Sequence, residues 1–223
     1  LLPCLWASRW YQRPCLYDAH EYFSHTPEVE RRPLVQKVWA QIARYAIPRV
    51  QACLTVSVSL AQELERQYGH PFEVVRNMPM RREVAFSEKE KNFTLIYQGA
   101  LNEGRGLEHL IRALVELPPE IQLWLVGEGD LSKNLRALCD QLSLTSRVRF
   151  WGYQKPDKLV QITPRAHVGC NLLEMRSLSY FFSLANKAFD YAQAGLPALH
   201  MDFPEYRHLN SAFETSLLLP RLS

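Results

Sequence analysis

The 223-residue chain contains no uninterrupted apolar run near the roughly 18 residues that a spanning helix needs, so no segment reads as a membrane span. Its opening, Leu1-Leu2-Pro3-Cys4-Leu5-Trp6, lacks the basic start of a signal peptide, and the first residue is not Met. Cysteine is sparse and unpatterned. Cys4, Cys15, Cys53, Cys139 and Cys170 are odd in number and widely spaced, with no Cys-x-x-Cys pair. That argues against a disulfide framework or a structural zinc site and fits a reducing, cytoplasmic compartment. An excess of one charge is missing too. A net charge of +3 is too mild and too dispersed to argue for nucleic acid, yet it stays compatible with a phosphorylated ligand or an anionic membrane surface. Internal repeats and low-complexity tracts are absent. What is present, 47% hydrophobic and 22% charged residues, is the composition of a globular protein with one or two sizeable cores.

Apolar periodicity organises the chain as two α/β segments. In the second, runs at 94–97, 121–126, 147–151, 168–173 and 196–200 alternate with helical patterns, the signature of a parallel sheet covered on both faces, and 216–219 predicts a sixth strand. Leu107, Leu110, Ile111, Leu114 and Leu117 form one helical stripe, ended by Pro118-Pro119, and Leu131, Leu135, Leu138 and Leu142 form the next. In the first segment, 15–18, 53–57 and 73–75 read as strands, with helices over about 34–45 and up to Gly69. The expected division is a first domain over 1–77, an Arg-, Glu- and Lys-rich linker over 78–92, and a second domain over 93–223. Since a doubly wound domain usually has five or six strands, the first is expected to be incomplete and the chain to be an internal piece of a longer protein.

Several strand ends carry polar or glycine-rich patterns. Ser183-Leu-Ala-Asn-Lys-Ala-Phe-Asp-Tyr-Ala-Gln-Ala-Gly-Leu-Pro197 predicts a helix with Ser183 at the N-cap and Gly195 at C′. Ala188, Tyr191 and Ala192 then face a core while Lys187 and Asp190 lie near one another. A carboxylate so presented can accept two hydrogen bonds from a ribose diol, and the N–H groups of a helix start at Ser183, Leu184 and Ala185 can meet a phosphate. An ordinary amphipathic helix with an exposed Asp fits the same spacing. Tyr97-Gln-Gly-Ala-Leu-Asn-Glu-Gly-Arg-Gly-Leu107 joins a strand to a helix, where ligands bind in open parallel sheets; Gly99, Gly104 and Gly106 permit close approach, and Arg105 supplies a fork of donors. Val126-Gly-Glu-Gly-Asp130 fails as a nicotinamide-cofactor fingerprint, because Ser132 occupies the place of the third glycine. In Phe150-Trp-Gly-Tyr153, Tyr153 or Trp151 could stack on a planar ligand or simply be core. Tyr17-Asp-Ala-His-Glu21 ends a strand, with His20 able to donate near neutral pH and Asp18 or Glu21 able to hold its tautomer. Ser57, Ser59, Arg76 and Asn77 also fall at strand ends.

The pattern Ser-x-x-x-Lys-x-Phe-Asp-Tyr-x-x-x-Gly-x-Pro resembles the donor-site helix of glycosyltransferase family 4, retaining enzymes of the GT-B fold. The resemblance implies an α/β fold of two Rossmann-like doubly wound domains facing a cleft, the first incomplete here. It implies a hexose moved from a nucleotide-diphosphate sugar to an acceptor hydroxyl, on a glycan or lipid-linked precursor of cell-envelope polysaccharide. Asp190 would hold the donor ribose. A second acid normally stands eight positions earlier, where this chain has Phe182. The family's diphosphate-reaching Arg and Lys correspond to Ala100 and Arg105, so one charge is kept and one lost. Gly127 corresponds to a glycine lining the donor cleft, Tyr153 to the loop that meets the base, Arg76-Asn77 to the entry of the linker, and His20 to a histidine facing the transferred sugar. Glu174, at the end of Asn171-Leu-Leu-Glu174, is expected to replace the acid missing at Phe182, a solvated loop Glu being its plainer reading. No Asp-x-Asp pair occurs, so no metal or other cofactor is implied; cations and a helix N-terminus would offset the leaving charge. Peripheral contact with the inner face of the membrane is compatible. Two other readings share these residues: a degenerate, non-catalytic nucleotide-sugar-binding subunit, and a GT-B-fold epimerase of the sugar nucleotide.

Overall fold

Pro33 presets the first turn of a helix whose Ala43 and Ala46 turn towards a core, joined by Ile47 just past the helix end. The computed structural model describes residues 1–81 and 87–222. Within the first compact unit the elements are α1 (Leu2–Tyr11), β1 (Leu16–Ala19), α2 (Pro27–Glu30), α3 (Pro33–Ala46), β2 (Ala52–Thr55), α4 (Val58–Tyr68) and β3 (Glu73–Val74). The strands are parallel in the order β1-β2-β3, with Leu16 opposite Ala52 and Thr55 opposite Val74. Leu5, Ile47, Val50, Cys53, Leu60, Leu64 and Phe72 fill the core. Gly69 ends α4 in the left-handed conformation, with its N–H on Glu65 O. Met175–Leu184 and Phe203–Glu205 belong to this unit as well. The Ser59 N–H, in the first turn of α4, donates to the buried Glu205 carboxylate at 2.7 Å, and Arg76 approaches the other carboxylate oxygen at 3.8 Å. Ser57 donates to Phe182 O at 3.3 Å.

The second unit holds β4 (Thr94–Gln98), α5 (Leu107–Glu116), β5 (Gln122–Val126), α6 (Ser132–Gln141), β6 (Val148–Gly152), α7 (Pro156–Ile162) and β7 (Val168–Asn171). After the short α8 (Leu178–Phe181), which lies in the first unit, come α9 (Asn186–Gln193), β8 (Ala198–Met201), α10 (Pro204–Ala212) and β9 (Ser216–Leu219). All six strands are parallel, in the order β6-β5-β4-β7-β8-β9. The six apolar runs of the sequence are these six strands. Leu107, Leu110, Ile111 and Leu114 are buried as their stripe predicts, while Leu117 is the extended residue that Pro118 requires. Strand order reverses between β4 and β7, and ligand crevices form outside the carboxyl ends of the strands at such a point. Of the linker expected over 78–92, residues 82–86 lie outside the described residues.

Candidate functional site

At the switch point β4 ends in Gln98, Gly99 follows it, and three strand ends are stitched together there. The Gly99 N–H donates to Val126 O and the Gly127 N–H to Gly152 O, both at 2.9 Å. A Cβ on Gly127 would stand 1.9 Å from Gly99 O, and one on Gly106 would stand 2.1 Å from Leu172 O; both residues have positive φ. These two glycines therefore serve close approach between backbone segments of the fold. Gly104 O accepts the Glu174 N–H at 3.0 Å, which fixes the loop that carries Arg105 against the end of the β7 segment.

Tyr191 pins α9 to this rim. Its ring occupies the space beside Gly169, where a Cβ would come within 2.4 Å, and its hydroxyl lies 3.2 Å from Ile96 O and 3.1 Å from Cys170 O while accepting the Gln98 N–H at 3.2 Å. Burial holds this phenol well above its ordinary range, so it is a fixed neutral donor. One residue earlier, Asp190 Oδ2 accepts from Gln98 Nε2 at 2.8 Å, and Gln98 Oε1 accepts from the Thr163 hydroxyl at 2.8 Å. The Lys187 ammonium lies 3.8 Å from the centre of the Tyr97 ring and beside Gly99. Burial first, and then the Arg105 guanidinium, hold the Lys187 amine well below the usual lysine range. An anion arriving here would meet the Arg105 guanidinium and would favour the protonated form of Lys187.

A second, wholly buried network backs the start of α9. Asn171 Nδ2 donates to Tyr206 Oη at 2.8 Å and lies 3.2 Å from His200 Nδ1, and the Tyr206 ring stacks on His200 at 4.5 Å. Burial and then Lys187 push the His200 imidazole down to about 4, so at neutral pH it is uncharged and accepts from Asn171. Tyr206 Oη also accepts the Ala185 N–H at 3.1 Å.

This network corrects the expected helix start. Ser183 is not the N-cap: Ala185 is, and α9 begins at Asn186. The Ser183 hydroxyl instead donates to Tyr180 O at 2.7 Å, and Ser183 and Leu184 lie in the first unit. With the Ala185 N–H given to Tyr206, the donors that face outward from the helix start are those of the first turn proper. Gly195 takes the expected place past the helix end, with φ of 66°.

The remaining residues are dispersed. Tyr153 is exposed beyond β6, whereas Trp151 is half-buried, packing edge-on against Trp124 at 5.0 Å under the Arg149 guanidinium and against the core. Glu174 is not a solvated loop residue: its side chain is 14% exposed and reaches within 4.0 Å of His109 Nδ1. His20 and Asp18 share the end of β1, with His20 Nε2 3.0 Å from Asp18 Oδ2, so Asp18 rather than Glu21 is the tautomer partner. Both line a pocket of about 320 Å³ in the first unit, walled by Tyr17, Tyr22, Trp39 and Tyr68. Phe182 packs at the edge of that unit's core, 6.4 Å from Tyr22. Sequence reasoning did not single out Gln98, Thr163 or the Asn171–His200–Tyr206 network. A Gln closing an otherwise apolar strand was the available signal for the first.

Among the described residues no group of three or more His, Cys, Asp and Glu is placed to hold a metal, and no helix is long and apolar enough to cross a membrane. The lipopolysaccharide core biosynthesis glycosyltransferase LpsD of Rhizobium meliloti (strain 1021) is 31% identical over 116 residues, covering 49% of this chain and 33% of that protein. "Uncharacterized glycosyltransferase MJ1607" of Methanocaldococcus jannaschii is 31% identical over 136 residues, covering 52% and 34%. The chain thus spans about a third of the length of these curated relatives. Among solved structures, Anabaena Alr3699/HepE in complex with UDP superposes with a TM-score of 0.74 at 18% identity, over 97% of this chain and 61% of that one. WaaG, a glycosyltransferase involved in lipopolysaccharide biosynthesis, gives 0.62 at 15% identity, over 89% and 56%. The fold is that of GT-B glycosyltransferases, built on parallel α/β sheets. The family Glycosyl transferases group 1 matches residues 81–221, more than half of the sequence, and the chain belongs to that family.

Proposed function

We propose that the protein is a retaining hexosyltransferase that takes a nucleotide-diphosphate sugar and transfers its sugar to the hydroxyl of a glycan or lipid-linked acceptor, in cell-envelope polysaccharide synthesis at the cytoplasmic side. The observation that carries this reading is the placement of Lys187 and Asp190, three residues apart on α9, at the β4/β7 switch point beside Gly99. Asp190, its orientation set by Gln98, accepts from the ribose diol. Lys187, Arg105 and the first turn of α9 stabilise the diphosphate as the sugar–phosphate bond breaks and its electron pair leaves on the phosphate oxygen, without a metal. Gly99 and Gly127 shape the floor, Tyr153 stacks on the base, His20 serves the transferred sugar and Glu174 replaces the acid lost at Phe182. Uridine is the favoured base: structures of similar fold hold UDP with glucose or GlcNAc. Calorimetry on Asp190→Ala in the full-length protein tests the reading. Loss of a hydrogen bond to a charged group, about 1.5–3 kcal/mol, should weaken UDP-sugar binding at least about tenfold. Unchanged affinity would remove Asp190 from the site.

A second reading, a non-catalytic nucleotide-sugar-binding subunit, is favoured by Phe182, whose packing against the apolar core leaves no acid at that position. It differs in one outcome, donor turnover.

A further inference from the structure

Helix α9 starts without a cap of its own. Its N-cap residue is Ala185, which offers no side-chain acceptor to the first-turn N–H groups, and Ala is among the poorest residues at that place. The backbone is fixed from outside the helix instead. Tyr206 Oη, on α10, accepts the Ala185 N–H at 3.1 Å. In a capping box that same N–H goes to a Glu or Gln side chain three residues on; here that residue is Ala188, whose own N–H closes on Ala185 O at 3.0 Å. Of the first-turn donors, those of Asn186 and Lys187 have no acceptor within the helix.

The Tyr206 hydroxyl is itself held. Both Nδ2 hydrogens of Asn171 are engaged, one on Tyr206 Oη at 2.8 Å and one on His200 Nδ1 at 3.2 Å, and the His200 ring lies within 11° of parallel to the Tyr206 ring. Asn171 and His200 stand opposite one another on β7 and β8, so two strands of the sheet aim the hydroxyl. All three side chains are at most 2% exposed. Burying three polar groups costs free energy that an apolar trio of the same volume would not, and what a fully bonded network gives in return is direction. A phenol in place of the carboxylate of a capping box is also an acceptor that does not repel a phosphate.

We propose that Tyr206 is a positioning residue for the donor diphosphate: by taking the Ala185 N–H from behind, it fixes the start of α9 and leaves the Asn186 and Lys187 N–H groups to meet the phosphate. The proposal rests on the reading of α9 as the donor helix. A capping Ser, Thr or Asp at position 185 would instead occupy a donor that the anion needs.

Tyr206→Phe in the full-length protein keeps the ring and its stacking and removes only the acceptor. Calorimetry should show UDP bound at least about fivefold more weakly, the effect of one misplaced hydrogen bond, while uridine, which has the ribose and no phosphate, keeps its affinity within about twofold. Hydrogen exchange at single-residue resolution gives a reading on the parent alone. The Ala185 amide should be protected with and without ligand, and those of Asn186 and Lys187 should gain protection with UDP and not with uridine. Asp190→Ala separates the proposal from the donor-site reading. If Asp190→Ala weakens UDP binding and Tyr206→Phe does not, the donor site stands and the proposal is overturned; if neither does, or the parent binds no UDP, both fall. Equal loss of UDP and uridine affinity in Tyr206→Phe, or Asn186 and Lys187 amides that exchange alike with and without UDP, would make Tyr206 a structural residue only.

Discussion

Lys187 is the residue of the proposed donor site whose electrostatics are most displaced. Its amine is held below the ordinary range by burial and by Arg105, with Cys170 and Asp190 acting in the opposite direction. Because the unfolded chain binds this proton more readily than the folded one, the group's contribution to stability rises with pH between the lowered value and 10.5. Ligand binding has the opposite sign. A diphosphate beside the amine favours its charged form, so binding should take up a proton and affinity should fall as pH rises through that window. Calorimetry of UDP binding in two buffers of different ionisation enthalpy measures the uptake directly. Lys187→Met should abolish it; uptake that persists in this variant would assign the proton to another group.

At the scale of elements, α9 is where sequence and structure diverge most instructively. Its end was legible, since Gly195 stops the helix by supplying a left-handed residue. Its beginning was not: Ser183 has the chemistry of a cap, but a three-residue turn back to Tyr180 O satisfies its hydroxyl first. The strands were legible because a parallel sheet buried on both faces writes continuous apolar runs into the sequence. The networks of Gln98 with Asp190 and of Asn171 with His200 and Tyr206 join residues 29 to 92 positions apart, and such pairs leave no periodic trace. Tyr191 shows what this costs in practice, since spacing assigns its ring to the core and says nothing of its hydroxyl. Tyr191→Phe would leave the buried Gln98 N–H without that acceptor and cut the tie of α9 to β4 and β7. A loss of about 1–3 kcal/mol is expected in chemical denaturation, with weaker UDP binding because Lys187 and Asp190 ride on the same helix. Parent-like stability would show that the hydroxyl contributes nothing.

At the scale of the whole molecule, the two units carry separable assignments, and this makes the enzymatic reading vulnerable to kinetics. Arg105 lies in the second unit with Lys187 and Asp190, and His20 lies in the first beside Asp18, at an aromatic pocket. If the second unit binds donor and the first serves sugar and acceptor, Arg105→Ala should raise the UDP dissociation constant, while His20→Ala should lower turnover and leave that constant nearly unchanged. Turnover here needs no identified acceptor, because an enzyme that stabilises the departing diphosphate should also release it slowly to water. The full-length protein incubated with UDP-sugars should therefore yield UDP at a rate above that of buffer, reduced in both variants for different reasons. Glu174→Gln keeps size and removes charge, and should lower this rate if Glu174 stands in for the acid missing at Phe182. Tight UDP-sugar binding with no release in the parent would identify a binding subunit, and the change of Phe182→Glu would then be the substitution that asks whether the lost carboxylate alone separates binding from transfer.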